Sequence, residues 1–424
     1  MTGSDLDRQV VITGVGVVSP IGIGRGAFWR SLEESKTGIQ HLGGSEMAGS
    51  LAQIGGLVEG FDSKSFVKPR KSIKLMCREI QFGLGAAGLA VADAKLDTQV
   101  INSEKFGVVF GSELLYGDPR ETEDLFRACL NDDQFSIGSF GRHLLAQLFP
   151  LWMLRYLPNM VACHVGIAHN ACGHNNTVVS GEVSSLLAVI EGAIKIEKGA
   201  ADVMIVGGIG ALTSFTRQAI AGTDRLSNRI EQPAAASRPF DAGRDGLVIS
   251  EGSGALVLES RRHAGERGAR SLAKVCGFSR GFAPPPDVLS PSRDAIHRSI
   301  ESALANARMN AGDLAHVNAH GASEVVADRV ESHAIRDAIG DVPVTAPKSL
   351  IGHMGAGGGA VEAVATVLSL EKRLVPPTLN YETPDPECPV NVVHGLPLAT
   401  DKPAAMLLNH TISGQAVAVV VARD

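Results

Sequence analysis

Glu182, His320 and His353 are the side chains of this sequence best placed to do chemistry, and each sits at a chain reversal. Glu182 follows the turn pair Ser180-Gly181, after a β-branched stretch at 177–180 and before a run of apolar residues at helical spacing. A side chain there projects from a helix N-terminus, where backbone N–H groups and the helix dipole favour negative charge. Such a position suits a thiolate or an oxyanion; its occupant here is a carboxylate. His320 precedes Gly321 at the end of a short apolar strand, in a loop of the kind that carries functional side chains. His353 lies in the string GHMGAGGG, which leads into a helix near residue 360. Two imidazoles acting as hydrogen-bond donors suit stabilisation of a developing oxyanion. Either histidine taken alone also fits a structural or surface role.

The elements that must hold these groups alternate along the chain. Short apolar runs at 10–18, 106–111, 177–180, 203–208 and 254–259 read as strands, as do 272–278, 316–319, 390–394 and 405–422, the last broken at Ser413-Gly414. Residues 72–94, 184–197, 293–307 and 360–372 read as helices. This alternation predicts α/β layers rather than separate α and β blocks.

Longer strings give the chain a family resemblance. VVITGVGVVSPIG (10–22), ASRPFDAGRDGLVISEGSGALVLES (236–260), VNAHGAS (317–323) and KSLIGHMGAGGG (348–359) resemble, in order, segments of β-ketoacyl-acyl-carrier-protein synthases, the ketosynthases of the thiolase superfamily. The resemblance runs from about residue 8 to residue 422. It implies a thiolase-like five-layer α-β-α-β-α fold of two similar halves, 1–260 and 261–424, meeting near 260–270. It also implies His320 and His353 as the two catalytic histidines and Lys348 as the lysine that orders the second. Asp328 and Glu331, eight and eleven residues past His320, would support the lysine network, although a solvated helix face accounts for them equally.

Two departures from that family stand out. The nucleophilic cysteine is expected nine residues after Gly173 and twenty before Asp202, and both spacings end on Glu182. Cys172 falls before the strand and reads as a loop or interface cysteine. The family's NSFGFGGTN loop appears as NHTISGQAV (409–417): Asn409 and Gly414 match, Ser413 replaces the gating phenylalanine, and Gln415 replaces a glycine. A serine cannot plug a pocket as an aromatic does, and losing a glycine restricts the loop. A carboxylate is a poor carrier of acyl groups for carbon–carbon bond formation. The resemblance therefore implies a chain-length-factor-like partner subunit shaping an acyl tunnel. The alternative is a malonyl-acyl-carrier-protein decarboxylase using His320 and His353, and a third reading is a synthase with an unusual site. The implied partners are an acyl carrier protein and either a second copy or a cysteine-containing ketosynthase. No cofactor and no metal are implied.

Composition narrows the classes. A net charge of −6 gives no support for nucleic-acid binding. The six cysteines show no CxxC pair or regular spacing, which points to thiols rather than a disulfide framework. The spacing of His164, His169 and His174 around Cys163 and Cys172 fits no zinc pattern. Gly14-Val15-Gly16 invites a dinucleotide-binding reading, but position 19 is Ser19 and Pro20 follows, so the motif fails. The opening MTGSDLDRQ lacks a charged-then-apolar signal pattern and no apolar run is long enough to span a bilayer, so a cytoplasmic setting is expected. Lys64, Lys68, Arg70, Lys71, Lys74 and Arg78 form a basic cluster suited to an acidic carrier protein, or simply a solvated face. The segment 114–158, with its run LFPLWMLRYLPNM, is the least family-like part. It reads as a helix buried at a subunit interface, as a tunnel wall, or as both.

Overall fold

The structure is a computed structural model that describes all residues except 1–6, 44–50, 214–217, 219–223 and 288–289. The first six residues of the opening segment therefore lie outside the described residues. Among the described residues no helix is long and apolar enough to cross a membrane.

Among the described residues a twelve-stranded mixed sheet has eleven strands in its main path, with the short strand Gly22–Ile23 pairing beside the first: β1 (Val10–Ser19), β2 (Phe106–Ser112), β3 (Asn175–Val179), β4 (Val203–Ala211), β5 (Glu251–Ser260), β6 (Ala273–Phe282), β7 (Leu314–Asn318), β8 (Pro343–Thr345), β9 (Asn391–Val392), β10 (Ala404–His410) and β11 (Gln415–Ala422). The order across the sheet is β9-β8-β7-β10-β11-β6-β1-β5-β4-β2-β3. A duplication is visible in this order. In the first half β1 lies antiparallel to β5, β5 antiparallel to β4, and β4, β2 and β3 are parallel. In the second half β6 lies antiparallel to β11, β11 antiparallel to β10, and β10, β7 and β8 are parallel. Within the sheet, among the described residues, the halves meet at two residue pairs, Val11 with Lys274 and Ile12 with Ala273.

Helices fill the layers around the two half-sheets. α1 (Arg78–Asp93) and α2 (Met160–His169) pack on the outer face of the first half, around Ile80, Phe82, Phe106 and Val161. α4 (Arg293–Ala307) and α5 (Val325–Ile339) pack on the outer face of the second, around Ile296, Ile300, Val317 and Ile335. α3 (Ser184–Glu197) and α6 (Gly358–Lys372) lie between the half-sheets. This is the five-layer thiolase-like α/β arrangement. β1, β4 and β5 are buried along their whole lengths, as strands covered on both faces must be, and their sequences are correspondingly near-continuous apolar runs.

Several boundaries differ from those read in the sequence. The helix expected over 72–94 begins only at Arg78, because Met76 is extended and Arg70–Leu75 forms a separate 3₁₀ segment. The run at 148–160 is not one helix: Trp152–Tyr156 is a 3₁₀ turn and α2 begins at Met160. Pro150 and Pro158 bracket that turn, and neither can continue a helix that precedes it.

Candidate active site

The site forms where the loops after β7 and β10, the entry to α3 and the entry to α6 come together. Gly181 adopts φ +61°, which opens the turn after β3, and Gly181–Val183 then winds as a 3₁₀ turn into α3. Ser184 fixes the turn: its Oγ accepts from the Ser180 N–H at 2.8 Å and donates to the Gly181 carbonyl at 2.6 Å. Glu182 is thereby presented, half-buried, to a pocket of about 250 Å³ that His353, Arg225 and Glu113 also line. Leu226, Leu247 and Ile249 form an apolar wall of the same pocket. Among the described residues no cysteine lines it, and Cys172 is exposed at the chain segment preceding β3.

His353 is set by backbone on both sides. Its N–H donates to the Val248 carbonyl at 2.7 Å, and its carbonyl accepts from the Ser250 N–H at 2.9 Å. The Gly355 N–H donates to His353 Nδ1 at 3.1 Å, which leaves the ring proton on Nε2. Gly355 needs to be glycine twice over: its φ is +58°, and a Cβ would overlap the Glu113 carboxylate. Glu113 Oε1 in turn accepts from the Ala356 N–H at 2.6 Å, so the glycine-rich loop wraps a carboxylate. Gly210 on β4 lets the Met354 carbonyl come within the space a Cβ would occupy.

His320 is 4% exposed and held from three directions. Glu331 on α5 accepts from the N–H groups of His320 and Gly321 at 2.7 and 2.8 Å. Lys348 Nζ donates to the His320 carbonyl at 2.7 Å and ion-pairs with the buried Glu362 of α6. Asn409, at the end of β10, donates to the other Glu362 oxygen at 2.8 Å. The Lys348 ammonium and the Asn409 amide lie 3.5 and 3.4 Å from His320 Nδ1. Both are donors, so Nδ1 is the acceptor and Nε2 carries the proton. Burial first, and then the charge of Lys348 and the neighbouring His410, His353 and Arg225, hold the His320 pKa well below its ordinary value. The ring is neutral. The His320 and His353 rings meet edge to face with centroids 5.4 Å apart.

The sequence-derived candidates fall into three groups. Glu182, His320, His353 and Lys348 converge, although Lys348 contacts His320 and not His353. Glu331 clamps the His320 backbone rather than the lysine. Asp328 accepts instead from the Phe240 N–H at 2.9 Å and stands 3.9 Å from Arg244, with burial pushing its pKa up to about 7. The helix face carrying Asp328 and Glu331 is fully buried, which disposes of the solvated alternative. Ser413 Oγ bonds Thr411 Oγ1 at 2.7 Å, and Gly414 takes φ +91° in the tight loop between β10 and β11. Ser180 Oγ donates to Gln415 Oε1 at 2.7 Å, tying that loop to the Glu182 turn. Lys64, Lys68, Arg70, Lys71 and Lys74 are exposed together beside α1. Arg78 is exposed with them and also pairs its guanidinium with the buried carboxylate of Glu251 at 2.7 Å. His174 pairs with Glu191 at 2.6 Å.

Sequence reading passed over four residues. Glu362 partners Lys348 from fourteen residues further on. Arg225 lines the pocket and grips Glu324 with two bonds of 2.7 Å. Glu113 supports the His353 loop. His410 packs its ring on His320 with centroids 4.4 Å apart, at 2% exposure. Only His410 left a trace in the sequence, as an imidazole at the serine of the NSFGFGGTN pattern.

Comparison with known proteins agrees with this architecture. Residues 7–264 match the β-ketoacyl synthase N-terminal domain and residues 273–382 the β-ketoacyl synthase C-terminal domain. A 3-oxoacyl-[acyl-carrier-protein] synthase 2 from Synechocystis sp. is 33% identical over 92% of this chain and 91% of its own length. The tetracenomycin polyketide synthase ketoacyl synthase alpha subunit of Streptomyces glaucescens is 34% identical over 91% of this chain and 90% of its own length. Among solved structures, the ishigamide ketosynthase/chain length factor superposes with a TM-score of 0.84 at 26% identity, covering 98% of this chain and 99% of that one. A type II polyketide-synthase acyl-carrier protein complexed with its ketosynthase bound to the hexaketide gives 0.82 at 28% identity, over 98% of this chain and all of that one (100%).

Proposed function

The chain belongs to the β-ketoacyl synthase family, and from that premise we propose that it decarboxylates malonyl groups delivered on an acyl carrier protein, as one member of a ketosynthase pair whose other member carries the cysteine. The observation that carries this reading is the pair of buried imidazoles, each with its proton on Nε2, beside a pocket whose carboxylate replaces a thiol. Two preorganised, buried N–H donors lower the energy of an enolate oxygen far more than they would in water. Lys348, Glu362, Asn409 and Glu331 serve as positioning residues for His320. A subunit with a purely architectural role has no use for such a network.

Pairing with a second ketosynthase-fold chain, in the manner of a chain-length factor, has its own support. β3 closes one end of the sheet, and Ile167, Val179, Ile137, Leu145 and Met153 expose large apolar surface on the part of the chain that flanks it. An unpaired sheet edge beside exposed apolar groups is a template for association. The altered Ser413 loop fits a subunit that shapes an acyl tunnel without closing over its own acyl-enzyme. The ishigamide protein is a ketosynthase/chain length factor, and the hexaketide-bound ketosynthase is complexed with its acyl-carrier protein. The exposed lysines and arginine at 64–74 are the proposed carrier landing site, and we take the two halves to divide after residue 260.

The test is direct. Purified protein is incubated with malonyl-carrier protein and carbon dioxide is measured, alone and after co-expression with a cysteine-containing ketosynthase. Release that depends on His320, with co-purification of the two chains, is expected. Absence of release removes the decarboxylating role, and a stable homodimer that does not exchange with the second ketosynthase removes the pairing.

A further inference from the structure

Decarboxylation leaves an enolate that must be protonated at carbon, and without a thiol the pocket holds no acyl group for that carbon to attack instead. What supplies the proton is answered by elimination, granted the decarboxylating reading above. The described titratable groups lining the pocket are Glu113, Glu182, Arg225 and His353. His353 and its neighbour His320 are engaged through Nε2–H with the enolate oxygen. Arg225 cannot release a proton: burial alone would lower its pKa, but the hydrogen bonds and charge of Glu324, with Glu182 adding, hold it above the ordinary value. Glu113 is 7% exposed and fixed on the Ala356 N–H at 2.6 Å, as part of the loop that aims His353. Glu182 is different. It is half-buried, reaches the same pocket as His353, and interacts with Arg225 through charge rather than a hydrogen bond. Glu324 occupies Arg225 Nε and Nη2, which keeps those donors from the Glu182 carboxyl.

We propose that Glu182 is a catalytic acid that delivers a proton to the α-carbon of the enolate, from one face only. In the step the bond between the α-carbon and the carboxylate breaks, its electron pair enters the enolate, and carbon dioxide leaves. The Glu182 carboxylate takes up one proton from solvent in each turnover, and the enolate pair forms a C–H bond with that proton. One proton is consumed per turnover and the product is the acyl-carrier thioester. The carboxyl thus does with a proton what an acyl-cysteine does with an acyl group.

A methylmalonyl-carrier thioester turned over in D2O makes the step visible, because the α-deuterated propionyl product is chiral. The wild-type protein is expected to give one enantiomer in large excess. Glu182→Gln, close in size to glutamate, is expected to slow turnover and to give near-racemic product, while Glu182→Asp keeps a measurable excess. Racemic product from the wild type, or the same single enantiomer from Glu182→Gln, overturns the proposal and leaves decarboxylation standing. A folded Glu182→Gln protein that releases no carbon dioxide also overturns it, since carbon–carbon cleavage is assigned to the histidines. No release from the wild type removes both.

Discussion

Replacing Lys348 with methionine isolates the buried network under His320. The Lys348 and Glu362 side chains are 3% and 1% exposed and form an ion pair, with Asn409 on the second Glu362 oxygen. Removing the ammonium leaves a buried carboxylate with one amide for company. Breaking a buried pair in this way costs about 3–5 kcal/mol, because the surviving charge is uncompensated. At about 2.1 cal/mol/K per residue, a chain of 424 residues has an unfolding entropy near 0.9 kcal/mol/K, so the midpoint should fall by about 3–6 °C. Lys348→Met combined with Glu362→Leu removes both charges and should recover at least half of that loss. Decarboxylation should not recover, because His320 Nδ1 then lacks its ammonium neighbour. Scanning calorimetry on the four proteins of the cycle, with carbon dioxide release measured on each, is the assay. A double variant as unstable as the single one, or as active as the wild type, would refute the reasoning.

Three further outcomes are expected. Burial alone would raise the Glu259 pKa, but Arg267, His263 and Thr13 hold it down at about 2. A depressed folded pKa gives stability that is present above the ordinary carboxylate range near 4.5 and lost as pH falls towards 2. Glu259→Gln should therefore cost about 3 kcal/mol in urea titrations at pH 7 and less than half of that near pH 3; an equal cost at both would contradict the linkage. Reversing Arg70, Lys71 and Lys74 to glutamate should weaken acyl-carrier binding by about tenfold or more at low salt, and less at high salt. Unchanged affinity by calorimetric titration would remove that surface. Glu182→Cys alone should not restore condensation in an assay with acyl and malonyl carriers, because Ser413 and Gln415 remain in the gate loop. Robust condensation would show that the gate does not matter.

What the sequence could reveal followed the range of the interactions. The helices 184–197 and 293–307 were legible to the residue, because a buried face imposes its period on neighbouring positions. The alternation of strand and helix gave the layered α/β class, and Glu182, His320 and His353, far apart in the chain, come together in the fold. Residues 148–160 misled because apolar composition suggested a helix where Pro150 and Pro158 forbid a continuous one. Lys348 is drawn to Glu362 and the His320 carbonyl rather than to His353, five residues away in the chain, because a buried ammonium needs a carboxylate and nearby carbonyls. Arg225 with Glu324, ninety-nine residues apart, has no local signature at all. Such pairs are set by how loops from different layers converge, which periodicity does not encode.

The central claim is that His320 and His353, as neutral Nε2–H donors, stabilise a thioester enolate. It is tested most directly by the rate of carbon dioxide release from malonyl-carrier protein by the wild type and by His320→Ala and His353→Ala. Each alanine variant should lose about 100- to 1000-fold, the usual cost of removing one preorganised oxyanion donor. Release by the wild type that both substitutions leave intact would contradict the account.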